Sequence, residues 1–168
     1  MSLIDLQTNY VYDLKNKLNN IIGNEKNFVA NSSNFASLIY HQLDGITWAG
    51  FYFLANEHLV LGPYIGKVAC VRIPISEGVC GSAARNRKPI IVPDVHKFPG
   101  YIPCDPSANS ELVVPLFYNN SVIGVFDLDS SIYNRFTEFE ANLISELLAI
   151  LIKKSLVQPF LDYYGTAC

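Results

Sequence analysis

The sequence predicts an α+β domain, a central antiparallel sheet flanked by helices. Two observations carry that reading. Apolar residues recur at helical spacing at both ends of the chain, and the middle holds short aromatic and β-branched runs separated by turn residues. No internal repeat and no linker interrupts the pattern, and 168 residues suffice for one core. The expected organisation is a single domain over 1–168, with helices over 4–43, sheet and loops over 46–130 and a closing helix over 137–156.

Taken in order, Leu6, Val11, Leu14, Leu18 and Ile21–Ile22 share one face of a helix over residues 4–22 that ends near Gly23. A second helix is expected from Asn31 or Ser32 to Leu43, with Ser32 or Ser33 as its N-cap and Phe35, Leu38, Ile39 and Leu43 inward. Residues 47–54 are aromatic-rich and strand-like, and Asn56-Glu57 turns the chain into Leu59-Val-Leu61. The next strand is expected over 69–74, with Cys70 inside it. A short helix of small residues follows, with Cys80 near its start, and then a strand over 90–92. After a Pro- and Gly-rich loop, strands over 111–117 and 121–129 form a hairpin through Asn119-Asn120. The last helix opens on Thr137 with Glu140 three residues later, a capping-box pattern, and turns Phe139, Leu143, Leu147, Ile150 and Leu151 inward.

Composition excludes several classes. Half the residues are hydrophobic and 16% are charged, so the chain is globular. A net charge of −3 with no basic cluster argues against nucleic acid. No signal-peptide pattern and no membrane-length apolar run is visible, so a cytosolic location with reduced thiols is expected. There, cysteines are catalytic, metal-binding or inert rather than a disulfide framework.

The chemistry concentrates between Cys70 and Asp129, which hold Cys70, Cys80, Cys104, Glu111, Asp127 and Asp129. Cys104 sits in a long loop, where an accessible thiol next to acids suggests redox chemistry. Asp105 follows at once and opposes thiolate formation unless it points elsewhere. No C-x-x-C pair exists, so thioredoxin-like and zinc-ribbon sites do not fit. Zinc held by scattered cysteines with His96 or His58 stays open, as does inert burial of Cys70. Strand alternation puts Asp127 and Asp129 on one face, and Glu111 opens the neighbouring strand. These acids form either a solvated strand end or a pocket for a cationic or zwitterionic ligand with a proton to give. Trp48 and Tyr52 also share a face, as core residues or as the apolar wall of that pocket.

The segments Glu77-Gly-Val-Cys-Gly-Ser-Ala-Ala84, Asp94-Val-His-Lys-Phe-Pro-Gly100, Cys104-Asp105, Asn109-Ser-Glu-Leu-Val-Val-Pro115 and Gly124-Val-Phe-Asp-Leu-Asp-Ser130 closely resemble the free methionine-(R)-sulfoxide reductases, which are stand-alone GAF domains. The resemblance spans nearly the whole chain. It implies a GAF-like fold and reduction of free methionine-(R)-sulfoxide, with Cys104 as nucleophile, Cys70 as resolving cysteine and Cys80 as an auxiliary one. It implies that Glu111, Asp127 and Asp129 hold the substrate's ammonium and sulfoxide oxygen, with Trp48 and Tyr52 around its methyl end. It further implies a homodimer without bound metal or cofactor, recycled by thioredoxin and NADPH. Tyr101 stands where the family often has His, and Cys168 has no counterpart. The alternative class is a non-catalytic GAF module that binds a small ligand or senses redox state.

Overall fold

The computed structural model describes residues 3–167; the terminal Cys168 lies outside the described residues. Helices α1 (Leu3–Ile22) and α2 (Phe28–Gln42) precede the strands β1 (Trp48–Ala55), β2 (His58–Ile65) and β3 (Arg72–Pro74). Helix α3 (Gly78–Asn86) and β4 (Ile90–Val92) follow, then a single 3₁₀ turn over Val95–Lys97. The hairpin β5 (Ser110–Tyr118) and β6 (Ser121–Ser130) leads to α4 (Glu138–Lys154) and α5 (Gln158–Ala167). The strands form one sheet in the order β3-β2-β1-β6-β5-β4, and every neighbouring pair is antiparallel.

Strand alternation sorts the side chains into two layers. Ala49, Phe51, Phe53, Leu112, Val114, Leu116, Phe126 and Leu128 face α1, α2 and α4 in the larger core. Trp48, Tyr52, Val113 and Val125 face the other way, towards α3 and the long loops. The same alternation sends Glu111, Asp127 and Asp129 to that second face. There Trp48, Asp129 and Glu111 lie abreast across β1, β6 and β5, with Asp127 two residues along β6. The hairpin turn is as expected: Asn119 and Asn120 both take positive φ, 47° and 62°, the geometry that matches strand twist.

Several expectations need correction. Leu6 and Ile21 are exposed, while Leu14, Leu18 and Ile22 form the buried stripe at strict i, i+4 spacing. Helix α2 begins three residues early because Asn27 caps it, its side chain accepting from the Ala30 N–H at 2.9 Å. Asn31 and Ser32, expected as start and cap, are buried inside the helix. The Asn31 amide donates to the Ser155 hydroxyl (2.9 Å) and to the Glu25 carbonyl (3.1 Å). The strand expected over 69–74 shrinks to Arg72–Pro74 and leaves Cys70 in an irregular loop. In that loop the Lys67 and Cys70 carbonyls accept from side chains of β1 instead of a neighbouring strand. Helix α5 lies beyond the closing helix expected over 137–156 and was not expected. Proline is tolerated in a first helical turn, and Phe160 anchors α5 edge-on against Phe28 and Phe53, 5.0 and 4.7 Å between centroids. The capping box on α4 is present as expected, both Thr137–Glu140 bonds being made.

Candidate active site

One helix, two strands and a loop build one small cleft. Helix α3 packs close against one face of the sheet because its buried positions are Gly78, Val79, Cys80, Gly81, Ala83 and Ala84, and this brings Cys80 over the strands. Strands β5 and β6 present Glu111, Asp127 and Asp129 from below. The loop after β4 closes the mouth with Tyr101, Ile102 and Cys104. The enclosed room is about 30 Å³, enough for a water or two.

At the rim, Cys104 is disulfide-bonded to Cys70 across 34 residues, with Cα atoms 5.3 Å apart. While that bond is closed, neither sulfur is available as a metal ligand. His96 is also committed elsewhere, its Nε2 lying 3.1 Å from the Asn109 side-chain oxygen. Asp105 lines the same cleft as Cys104, and its carboxylate is engaged by neighbours. Its Oδ1 accepts from the Ser107 N–H (2.9 Å) and hydroxyl (2.7 Å) and pairs with Lys67 Nζ at 3.3 Å. Burial alone would push this carboxyl up, but the bonds to Ser107 and Lys67 hold it below its ordinary value.

Cys80 is buried and its Sγ lies 3.9 Å from Glu111 Oε1. Glu111 and Asp127 are buried and Asp129 is partly buried, and among the described residues no salt bridge reaches any of the three. Burial is the leading cause that holds Glu111 and Asp129 well above the carboxylate range, and Asp127 adds to it in both. Asp127 is pushed up to about 7, again chiefly by burial. The same burial, followed by Asp127, Glu111 and Asp129, lifts the Cys80 thiol far above its usual value. Asp127 Oδ1 is buried and has no hydrogen-bond partner. The cleft thus offers a protonated carboxyl near neutral pH and an unsatisfied acceptor, which suits a ligand that carries a cation and an oxygen to be protonated.

This electrostatics has a consequence for stability. Folding raises the Asp127 pKa from 3.8 to about 7, so the native state binds a proton that the unfolded chain has already lost. The contribution is complete below the unfolded value and disappears as pH rises through the folded one. The melting temperature is therefore expected to fall between about pH 4 and pH 7, and Asp127→Asn to flatten that slope and raise stability above it. Thermal melts of both proteins across the range check this, and an unchanged slope in the variant refutes it.

Trp48 and Tyr52 do not line the cleft in this disulfide form; they support it. Their rings stack at 5.8 Å and 25°. Trp48 Nε1 donates to the Lys67 carbonyl (3.1 Å) and the Tyr52 hydroxyl to the Cys70 carbonyl (3.0 Å), so both hold the loop that carries Cys70. Two glycines make room for this. A Cβ on Gly50 would lie 2.6 Å from the Trp48 ring, and one on Gly66, whose φ is +135°, would lie equally close to it. Tyr101, noted only as a departure from a family His, lines the cleft and meets His96 edge-on at 6.4 Å. Lys67, Ser107 and Ile102 escaped the sequence reading, because neither spacing nor composition marks residues that act from irregular loops.

The sequence matches the GAF domain family over residues 34–151, which sets the class of the fold. It is 44% identical over 160 residues to the free methionine-R-sulfoxide reductase of Escherichia coli (strain K12), covering 95% of this chain and 97% of that one. It is 46% identical to the enzyme of the same name from Saccharomyces cerevisiae, over 78% and 77% of the two chains. Among solved structures, the X-ray structure of free methionine-R-sulfoxide reductase from Neisseria meningitidis in complex with its substrate superposes with a TM-score of 0.82. The identity there is 36%, over 86% of this chain and 87% of the other. The chain belongs to the free methionine-R-sulfoxide reductases, as its motifs led us to expect.

Proposed function

We propose that this protein reduces free L-methionine-(R)-sulfoxide to L-methionine. The observation that carries the reading is the Cys70–Cys104 disulfide at the rim of a cleft floored by Glu111, Asp127 and Asp129. The substrate's ammonium binds the acidic floor and satisfies Asp127 Oδ1. A protonated carboxyl donates to the sulfoxide oxygen, which departs poorly until protonated. The Cys104 thiolate attacks sulfur and takes the oxygen, so methionine leaves and Cys104 becomes a sulfenic acid. The Cys70 thiol then displaces hydroxide from that sulfur, giving water and the disulfide. The conformation described here corresponds to that end state, and its cleft is too small for the substrate. An external dithiol, thioredoxin supplied by NADPH, reduces the bond. Release of the Cys70 loop then opens the cleft and uncovers Trp48 and Tyr52 as a wall for the methyl group. No resident metal or cofactor takes part, and we expect a cytosolic homodimer.

The test is thioredoxin-coupled NADPH oxidation with the free R sulfoxide, the free S sulfoxide and an N-blocked R form. Turnover of the free R form alone is expected. Equal turnover of the blocked form would discard the ammonium-binding role of the acids, and no turnover with any of them would discard the activity. Within this reading, Asp129→Asn is expected to lower the rate of methionine release by about 10²-fold while the fold survives. An unchanged single-turnover rate would remove Asp129 as a proton donor.

A further inference from the structure

The two cysteines sit on two irregular loops, and neither strand nor helix fixes the distance between them. A second link joins these loops at the same place. Lys67, three residues before Cys70, reaches across to the residue directly after Cys104. Its Nζ lies 3.3 Å from Asp105 Oδ1 and donates to the Ser107 hydroxyl at 2.8 Å. The acceptor half is preset: Asp105 is 5% exposed, and Ser107 holds the same oxygen through two bonds of its own. The donor half is preset too, since the Lys67 carbonyl is held by Trp48 Nε1. Asp105 Oδ2 is buried without a hydrogen-bond partner, so the carboxylate is kept in place at a desolvation cost. Lys67 itself is 66% exposed, so the pair contributes little to global stability. Its position fits a different task.

We propose that Lys67 and Asp105 are positioning residues whose ion pair clips the Cys70 loop to the Cys104 loop and sets the rate at which the disulfide closes. The proposal rests on the reading that Cys104 is the cysteine oxidised in turnover. In the reduced chain the sulfurs are unlinked, and closure requires their Cα atoms to come within about 7 Å. Once methionine has left and the Cys70 loop swings back, a clip one residue from Cys104 and three from Cys70 re-forms and holds the thiol at high effective concentration beside the sulfenic acid. The step it accelerates is condensation: Cys104–SOH and Cys70–SH give the S–S bond and one water, with no other reactant. Attack on the sulfoxide precedes it and does not involve the clip.

The test follows the reduced protein after one equivalent of oxidant, with free methionine-(R)-sulfoxide in one arm and hydrogen peroxide in the other. Samples are quenched by thiol alkylation, the Cys70–Cys104 peptide pair is quantified by mass, and a 1,3-diketone traps sulfenic acid. In Lys67→Met, Cys104 is expected to be oxidised at the wild-type rate and with wild-type methionine yield. Disulfide closure is expected to slow at least about tenfold, with trapped Cys104 sulfenic acid rising, and Lys67→Arg to restore closure. Melts of the reduced proteins should coincide. Closure at the wild-type rate in Lys67→Met would overturn the proposal, and so would a parallel loss of both steps or a failure of Lys67→Arg to rescue. Should the sulfoxide fail to oxidise wild-type Cys104 where peroxide succeeds, the assigned activity falls, while the peroxide arm still judges the clip.

Discussion

Cys104→Ser is expected to lower methionine release from the free sulfoxide by at least about 10³-fold, to the limit of detection. A serine hydroxyl at neutral pH supplies no anion comparable to a thiolate, and it cannot carry oxygen away as a sulfenic acid. Cys104 is half-buried on a loop at the rim of the cleft. A control on folding is needed, because the variant also loses the cross-link. A disulfide that closes 34 residues stabilises the oxidised chain by about 4 kcal/mol on loop entropy alone. The fair comparison is therefore with reduced wild type, against which the variant should melt at the same temperature. The assay is single-turnover methionine formation by the reduced protein. Release at the wild-type rate would strip Cys104 of its role.

How much of this was legible in the sequence depends on which force decides each feature. The alternation that puts Asp127 and Asp129 on one face, with Glu111 on the adjoining strand, was readable because a strand has a period of two and the hairpin turn fixed the register. The capping box at Thr137 was readable because it is local. The start of α2 was not: Asn27, Asn31, Ser32 and Ser33 are all able to cap a helix, and tertiary contacts chose among them. The Asn31 amide donates to Glu25 and to Ser155, and Ser155 is 124 residues away. Helix α5 was hidden for the same reason, since its stability comes from Phe160 against Phe28 and Phe53. At the site, residue types disclosed the chemistry but not the roles. Nothing local in Trp48 or Tyr52 says that in the disulfide form their polar atoms hold the Cys70 loop, or that Lys67 answers Asp105 across the rim. Those pairings exist only once two irregular loops have been laid side by side.

The second large effect separates the cysteines. Cys70→Ser is expected to release about one methionine per chain and then stop, with a trappable sulfenic acid at Cys104. The first step needs only Cys104 and the acids, whereas recycling needs a thiol that can reach and attack the sulfenic sulfur. Among the described residues Cys80 is the other candidate, and its environment disfavours it. It is buried beneath the cleft, and its thiol is pushed far up by that burial and by Asp127, Glu111 and Asp129. The thiolate fraction available for exchange is correspondingly small. Cys70 lies on a half-exposed loop already within 5.3 Å, Cα to Cα, of Cys104. Counting methionine released per chain, first without reductant and then with thioredoxin and NADPH, reads the difference directly. A burst near one that thioredoxin cannot extend places resolution on Cys70. Sustained turnover in Cys70→Ser, abolished by adding Cys80→Ser, would show that the acids release the Cys80 proton during catalysis and that Cys80 resolves the intermediate.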